Sequence, residues 1–470
     1  MNPELNRRTF LGAGAAGLGY FFTAPAISAS RAARKPNETL QIAGIGVGGK
    51  GSSDIDQAGK LGEVVALCDI DDGRLDPKAK KWASARTFHD FRRLFDEMGK
   101  HIDAVTVSTP DHSHALASLI AIRMGKHVYC QKPLTHSVFE ARVLKEAARK
   151  YNVCTQMGNQ GSAENGLRRA VELVQGGIIG PVKEAHVWTN RPIWPQAPKV
   201  TERPDKADVW PKSIHWDQFL AGAPLRPYIK KYEDFDNFYH PFNWRGWLDF
   251  GTGAIGDMAC HTANMAFRAL KLAHPTSVSA ESGEVNPETY PAWAHVTLEF
   301  PSREDLPLVT LHWYEGRKDG KLVLPDEELR SKILSDGEKL TSSGSILVGE
   351  KGILYSPNDY GAKFRIHPKP LGEGKNFETP ENLPANGGGD QGMKNEWVEA
   401  IKANKPEIAY SNFDVASLLT EAFLLGNVAV RSGKKLDWDG PGLKVTNHEE
   451  ANRLIQTEYR RGWEVTRDSA

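Results

Sequence analysis

The sequence predicts an α/β protein of two domains: an N-terminal doubly wound parallel sheet, then a C-terminal α+β domain built on a large, mostly antiparallel open sheet. Three observations carry this prediction. From about residue 39 to 159, short β-branched or apolar runs alternate with segments of helical period, as parallel strands joined by crossover helices do. The first run ends in a cluster of glycines, the chemistry of a tight strand-to-helix turn. Beyond residue 176 the alternating runs lengthen, which suits an antiparallel sheet with one face on helices and the other free for a second subunit. With 470 residues the chain can bury two cores.

In chain order, the first sheet is expected to use strands at 40–45, 63–68, 104–108, 127–130 and 153–156, with helices at 112–124 and 137–150 between them. A further helix at 163–176 leads into the second sheet, read at 182–188, 294–300, 308–313 and 345–348. Helices at 391–403 and 412–432 are expected to cover one face of that second sheet. The domains therefore divide at 37–160 and 161–470, with no flexible tether. Residues 192–250 are an irregular insert rich in proline and aromatics, and six of the chain's 12 tryptophans fall between Trp188 and Trp247. So long a loop inside a domain points to function. Its rings can stack on a ligand or form a private core for the loop.

Composition excludes several classes. Basic and acidic side chains balance at 59 each, so the chain has no basic face for nucleic acid. Cys68, Cys130, Cys154 and Cys260 lie apart with no C-x-x-C pair, which predicts four thiols and neither a zinc knuckle nor a disulfide framework. Residues 1–30 read as a leader: Asn6-Arg7-Arg8-Thr9-Phe10-Leu11 resembles the twin-arginine export signal, followed by a weakly apolar stretch to Ile27 and small residues suited to a signal peptidase. The expectation is a periplasmic or otherwise exported protein with no membrane attachment beyond the leader, because no other segment reads as apolar enough to span.

The chemistry starts at the first turn. Gly46, Gly48 and Gly51 form G-x-G-x-x-G between a strand and a helix, with Gly49 inside it. Here the backbone needs conformations that a Cβ forbids and must approach a pyrophosphate held at the helix N-terminus. Asp69 ends the second strand, 23 positions beyond Gly46, where a carboxylate accepts from the adenosine ribose hydroxyls and repels a 2′-phosphate. Together they predict a dinucleotide-binding (Rossmann) domain that takes NAD rather than NADP, with nearby Arg74 the one residue arguing the other way. Asp71 and Asp72 read as helix-start residues.

Two further motifs carry a resemblance. Ser108-Thr109-Pro110-Asp111-His112-Ser113-His114 and Cys130-Gln131-Lys132-Pro133 resemble the cofactor-side loops of the Gfo/Idh/MocA oxidoreductases. The resemblance implies that Thr109, Pro110, His114, Gln131, Lys132 and Asn159 line the cofactor pocket, with Gln160 beside them, and that Lys132 hydrogen-bonds the reacting hydroxyl. Gln131 departs from the family's usual glutamate, which removes a charge that would act on the lysine. In the second domain, Gly251 to His261 reads as a turn entering a helix, so Asp257 and His261, four apart, share a face. A near-neutral histidine can take the hydroxyl proton while an aspartate orients it or binds a neighbouring hydroxyl, and the family uses an Asp-x-x-x-His pair in these ways. Arg245, between Trp244 and Trp247, can hold an anionic sugar or stack in the aromatic cluster. A metal held by Asp257, His261, His112 and His114 is chemically open but not expected, since hydride transfer to nicotinamide needs none.

These readings imply an exported NAD(H)-dependent oxidoreductase acting on a hydroxyl or ketone of a sugar, glycoside or cyclitol, expected as a homo-dimer or homo-tetramer. Outside the cytoplasm no dependable NAD pool exists, so the cofactor is expected to stay bound. The alternatives are redox-neutral glycoside cleavage or epimerisation through a transient keto-sugar, and a non-catalytic sugar- or NAD-binding protein. The family's NAD-dependent glycosidases carry Tyr-Pro-Thr-His where this chain has Met258-Ala259-Cys260-His261.

Overall fold

The computed structural model describes residues 39–368 and 379–468, so the leader expected at 1–30 lies outside the described residues. The first sheet consists of β1 (Gln41–Ile45), β2 (Glu63–Cys68), β3 (Arg86–Phe88), β4 (Ala104–Val107), β5 (His127–Cys130) and β6 (Thr155–Met157). All neighbours are parallel, in the order β3-β2-β1-β4-β5-β6. β4 is buried along its whole length, as a strand covered on both faces by helices must be. β3 was not expected from the sequence, since Arg-Thr-Phe is short and buries only its phenylalanine. The order reverses between β1 and β4, which opens a crevice at their carboxyl ends.

Caps fix where the helices begin. Ser137 and Glu140 form a reciprocal capping box at helix Val138–Lys150, worth about 1 kcal/mol. Asp71 accepts from the Gly73 N–H at the start of Asp72–Lys81, the helix-start role expected of this acid pair.

The second sheet has ten strands and is antiparallel except where Val182–Thr189 pairs with Val309–Lys318. Strands Ser277–Ser282, Ile353–Ser356, Arg365–His367 and Leu436–Asp439 were not expected, being short or only partly buried. Helix Phe413–Ser432 packs on Ser277–Ser282 and Trp293–Phe300, as predicted, and also against Val138–Lys150 of the first domain. The predicted partner helix does not join it. Gly389–Ala403 packs instead on β5, β6 and helix Lys50–Ala58, where Met393 and Trp397 enter the first domain's core and the buried Lys394 ammonium lies 2.6 Å from Asp54. Its polar face reads as solvent-facing in sequence, but Lys394 is an internal ion-pair partner. Phe413–Ser432 also corrects the expectation about membranes: this helix of 20 residues, with mean hydropathy 1.5, is long and apolar enough to cross a bilayer, yet it is a buried core helix.

The insert at 192–250 mostly folds on itself. Trp216, Phe219, Tyr228, Phe238, Tyr239, Trp247 and Phe250 form a closed aromatic core, and the Arg226 guanidinium packs against the rings of Tyr239, Trp247 and Phe250 while pairing with Asp249 and Glu288. The insert is seamed to the first domain after β2, where Asp72 N–H donates to Ser213 O at 2.9 Å and His215 N–H to Ile70 O at 2.8 Å. The C-terminal segment also returns to the first domain, with the Arg92 guanidinium 3.7 Å from the Trp463 ring and Arg123 paired to Asp468 at 2.7 Å. All four cysteines are buried free thiols, as expected.

Candidate active site

A cleft of about 400 Å³ opens above the carboxyl ends of β1 and β4. Gly46, Gly48, Gly49, Asp69, Thr109, Pro110, Gln131 and Lys132 form one wall. The insert closes it from the opposite side with Phe219, His240, Phe242, Trp244 and Arg245, and the tail adds Trp463. Of the six clustered tryptophans, Trp244 alone reaches this cleft, so the cluster serves mainly as the insert's own core.

The glycine turn has the conformation its sequence implied. Gly46 has φ +76°, and a Cβ there would meet the Ser108 carbonyl oxygen at 2.7 Å. At Gly51 a Cβ would stand 1.8 Å from the Gly46 carbonyl oxygen, so only hydrogen fits between turn and helix. Gly49 precedes helix Lys50–Ala58 without a side-chain cap, leaving that N-terminus with the polarity that attracts an anion.

Asp69 is buried at the end of β2. Its Oδ2 accepts from Val47 and Gly48 N–H at 2.8 and 3.0 Å, and Oδ1 accepts from Asp71 N–H at 3.1 Å. Burial pushes its carboxyl above the usual value against these donors. The acid thus braces the glycine turn, and its Oδ1 retains capacity for a ribose hydroxyl. Arg74 crosses Gly48 and pairs with Asp71 at 3.2 Å.

Lys132 leaves β5 and reaches the second domain. Its Nζ donates to Asp257 Oδ1 at 2.7 Å and to the Asp257 carbonyl at 3.0 Å. Burial opposes the lysine cation, but the adjoining carboxylate raises its pKa overall. Burial likewise opposes the Asp257 carboxylate, and Lys132 together with Arg245 holds it down to about 2. The Arg245 guanidinium stacks on Phe242 and Trp244, with Nε 3.4 Å from Asp257 Oδ1, so it combines stacking with carboxylate pairing.

Helix Gly253–Thr262 carries both Asp257 and His261, and both are buried. Burial, reinforced by the Lys132 charge, lowers His261 to about 3. It is therefore neutral at pH 7 and has a site for a proton, although the same burial makes it a weaker base than a free imidazole. Its Nδ1 is buried without a hydrogen-bond partner, and its ring lies edge-on to Tyr360 at 5.0 Å. Asp257 is engaged by Lys132 and Arg245; its carboxylate does not hydrogen-bond the His261 ring.

Other predicted residues serve the frame. Asn159 Nδ2 donates to Cys260 O at 3.0 Å and its Oδ1 accepts from Ser162, which latches the end of β6 to the His261 helix. Both His114 nitrogens face carbonyls, Pro133 O at 2.7 Å and Thr109 O at 2.8 Å, so the ring ties the two cofactor-side loops together. His112 likewise lies on Phe250 O and Phe219 O and anchors the insert, which leaves neither of these histidines free as a metal ligand. Gln131 has a structural reason to be an amide: Nε2 donates at 2.9 Å to Asp54 Oδ2, and the other Asp54 oxygen takes Lys50 and Lys394. A glutamate at this position would lose that donor and set two carboxylates together. Gln131→Glu is expected to cost about 1–3 kcal/mol at pH 7 in chemical denaturation. The loss should shrink as the pH falls and the added carboxyl protonates.

Asp111 was missed by sequence reasoning, although its place directly after Pro110 at a helix start marks it as a capping acid. It is fully buried and accepts from Thr252 N–H at 3.1 Å and Thr252 Oγ1 at 2.7 Å, which fastens the turn before the His261 helix. Burial raises its carboxyl from 3.8 to about 7. The folded state therefore binds this proton more tightly than the unfolded chain. The associated stability is present below 3.8 and lost as pH rises through about 7. Asp111→Asn, which keeps an acceptor for Thr252, should gain melting temperature relative to wild type as pH climbs through that window.

The fold and cleft define the class: a dinucleotide-type doubly wound domain joined to an open-sheet domain across a shared crevice. Residues 40–159 match the model of the Gfo/Idh/MocA oxidoreductase family, NAD-binding Rossmann fold. Inositol 2-dehydrogenase of Salmonella typhimurium is 27% identical over 153 residues, 32% of this chain and 45% of that protein. A glycosyl hydrolase family 109 protein of Solibacter usitatus is 29% identical over 160 residues, 31% of this chain and 36% of its own. The chain thus spans less than half the length of these curated relatives. An inositol dehydrogenase homologue of Azotobacter vinelandii, solved with NADH and myo-inositol, superposes with a TM-score of 0.56 at 14% identity over 86% of this chain and 98% of that one, a likeness of fold.

Proposed function

We propose that this protein is an NAD(H)-dependent oxidoreductase that oxidises or reduces a hydroxyl or ketone of a sugar, glycoside or cyclitol. The observation that carries the reading is Lys132 Nζ, held 2.7 Å from Asp257 beside the cleft that the glycine turn opens. The cleft suits a dinucleotide: the turn has no room for a Cβ at Gly46 or Gly51, and Thr109 Oγ1 is buried without a partner. Gly46, Gly48, Gly49 and the N-terminus of Lys50–Ala58 would hold the pyrophosphate, with Asp69 toward the ribose and Thr109, Pro110 and Lys132 toward the nicotinamide.

When bound, nicotinamide supplies hydride acceptance or donation. The chain's own part is electrostatic. Lys132 presents a fixed cation to the substrate oxygen and stabilises the alkoxide as its proton leaves. Neutral His261 takes that proton. Asp257 holds Lys132 in place and keeps it charged, and Arg245 secures the same carboxylate from its other side. In the reverse direction the same groups return the proton.

The Arg7-Arg8 leader supports export, and the enclosing insert supports a cofactor kept through turnover. A redox-neutral reaction is the second reading, favoured by the same enclosure and by the glycosyl hydrolase relative. The half-exposed outer face of the second sheet, around His295 and His312, is where a homo-oligomer contact would form.

The test is to purify the mature protein without added nucleotide, denature it and quantify released NAD(H), then incubate the intact protein with cyclitols, aldoses and aryl glycosides. Near-stoichiometric NAD(H) with an accumulating keto product supports the dehydrogenase, whereas a released aglycone supports cleavage. A protein that neither carries nor binds NAD(H) overturns the proposal.

A further inference from the structure

Away from Lys132 and Asp257, three metal-ligating side chains converge from segments far apart in sequence. Asp72 opens the helix after β2, His89 follows β3, and His215 stands at the N-cap of the insert's short helix Trp216–Leu220. One ligand atom from each lies within 4.8 Å of the others. His89 Nε2 is 3.4 Å, and His215 Nε2 3.7 Å, from the same Asp72 Oδ1. Zinc bonded at about 2.0–2.2 Å in a tetrahedron requires ligand edges of about 3.3–3.6 Å. The two histidine–carboxylate edges already lie at or within a few tenths of an ångström of that range, and the histidine–histidine edge lies within 4.8 Å.

Three further features fit a metal better than a pair of weak ion contacts. His89 Nδ1 lies 2.9 Å from the Asp69 carbonyl, which can only accept, so Nδ1 carries a proton and Nε2 is the atom turned toward Asp72. A metal-bound histidine is normally held by just such a bond from its other nitrogen. The two imidazoles stack at 3.6 Å with a 15° tilt, which places their Nε2 atoms on the same carboxylate. Finally, His89 and His215 line a hollow of about 370 Å³ with Asp90 and Gln218, giving an ion a route in and room for water on its open side.

We propose that Asp72, His89 and His215 bind one divalent transition-metal ion of the zinc class, with water completing the coordination. The ion acts as a clasp: it joins the insert to the β2–β3 edge beside the Asp72–Ser213 and Ile70–His215 backbone bonds. It touches neither Lys132 nor Asp257, so it is structural. The site's metal-binding readout does not require the dinucleotide, although His89 also lines the outer part of the cleft and is bonded to Asp69.

The experiment uses the full-length mature protein without a histidine tag, stripped with a chelator. Cobalt(II) is titrated first while its visible ligand-field bands are followed, and then displaced by zinc with metal content counted per chain. Wild type should bind one equivalent and show the intense bands of a tetrahedral site. His89→Ala, His215→Ala and Asp72→Asn should each weaken binding at least about 100-fold, whereas His274→Ala should leave it unchanged. Since an alanine variant could lose its fold, each is checked by circular dichroism, and His215→Cys, which retains a soft ligand, should recover zinc binding. Loading wild type with zinc should also slow proteolytic nicking of residues 192–250. No stoichiometric metal on wild type, or equal binding by a folded His89→Ala/His215→Ala double variant, overturns the proposal.

Discussion

Lys132→Met should lower kcat by about 10²–10⁴-fold while changing the affinity for NAD by no more than a few-fold, the range expected when a positioned proton-handling or charge-stabilising group is removed. The reasoning is geometric. Lys132 is the cation following β5 that points at Asp257, and its Nζ makes two contacts there, at 2.7 and 3.0 Å. The glycine turn and Asp69, which would carry cofactor affinity, lie at the ends of other strands. Removing one partner of a buried pair also costs stability, about 3 kcal/mol, because Asp257 is left with Arg245 at 3.4 Å. The assay is therefore run well below the variant's melting temperature. Lys132→Arg should fail to restore the rate, since a planar fork cannot occupy the place of a point charge between two Asp257 oxygens. Wild-type turnover in a folded Lys132→Met protein would sink the catalytic assignment.

Gly51→Ala should abolish measurable binding of NAD(H), a loss of more than about 100-fold by calorimetry, while the second domain stays folded. The new Cβ would lie 1.8 Å from the Gly46 carbonyl oxygen, a backbone atom that cannot rotate away. Relief requires the helix to withdraw from the turn, which costs about 1–3 kcal/mol and moves the very N–H groups that would face the pyrophosphate. Gly49→Ala is the informative contrast. Its Cβ would meet nothing nearer than the Arg74 Nη1 at 3.4 Å, although its φ of +52° adds backbone strain, so a smaller loss is expected.

The parts legible in the sequence were those where chemistry and position are local. Gly46 to Gly51, Asp69 and Lys132 lie at strand ends whose hydrophobic pattern is unambiguous, and the Asp257/His261 spacing needs only a helix to put both on one side. What stayed hidden depended on long-range pairing. Lys394 looks like a surface lysine until Asp54 is brought to 2.6 Å. Asn159 carries a side chain suited to a ligand but spends it on Cys260 O and Ser162. Asp72 and His89 are separated by β3, and His89 and His215 by β4, β5, β6, the strand Val182–Thr189 and the first part of the insert, so no spacing rule joins them. The tryptophan cluster reads in sequence as either a ligand face or a private core, and burial of Trp216 and Trp247 decides for the core.

Helix Gly389–Ala403 gives the chain an order of assembly. The nucleotide-type sheet is complete at β6, yet Met393, Trp397 and the Lys394 counter-ion to Asp54 come from a segment made after most of the second domain's sheet. On the ribosome, the first sheet must therefore wait with an apolar flank uncovered, and with Asp54 served by Lys50, Ser108 and Gln131 but not yet by Lys394, until well into synthesis of the second domain. Such a protein matures after release rather than vectorially, and a fragment ending near residue 160 would be an unfinished core rather than a minimal domain.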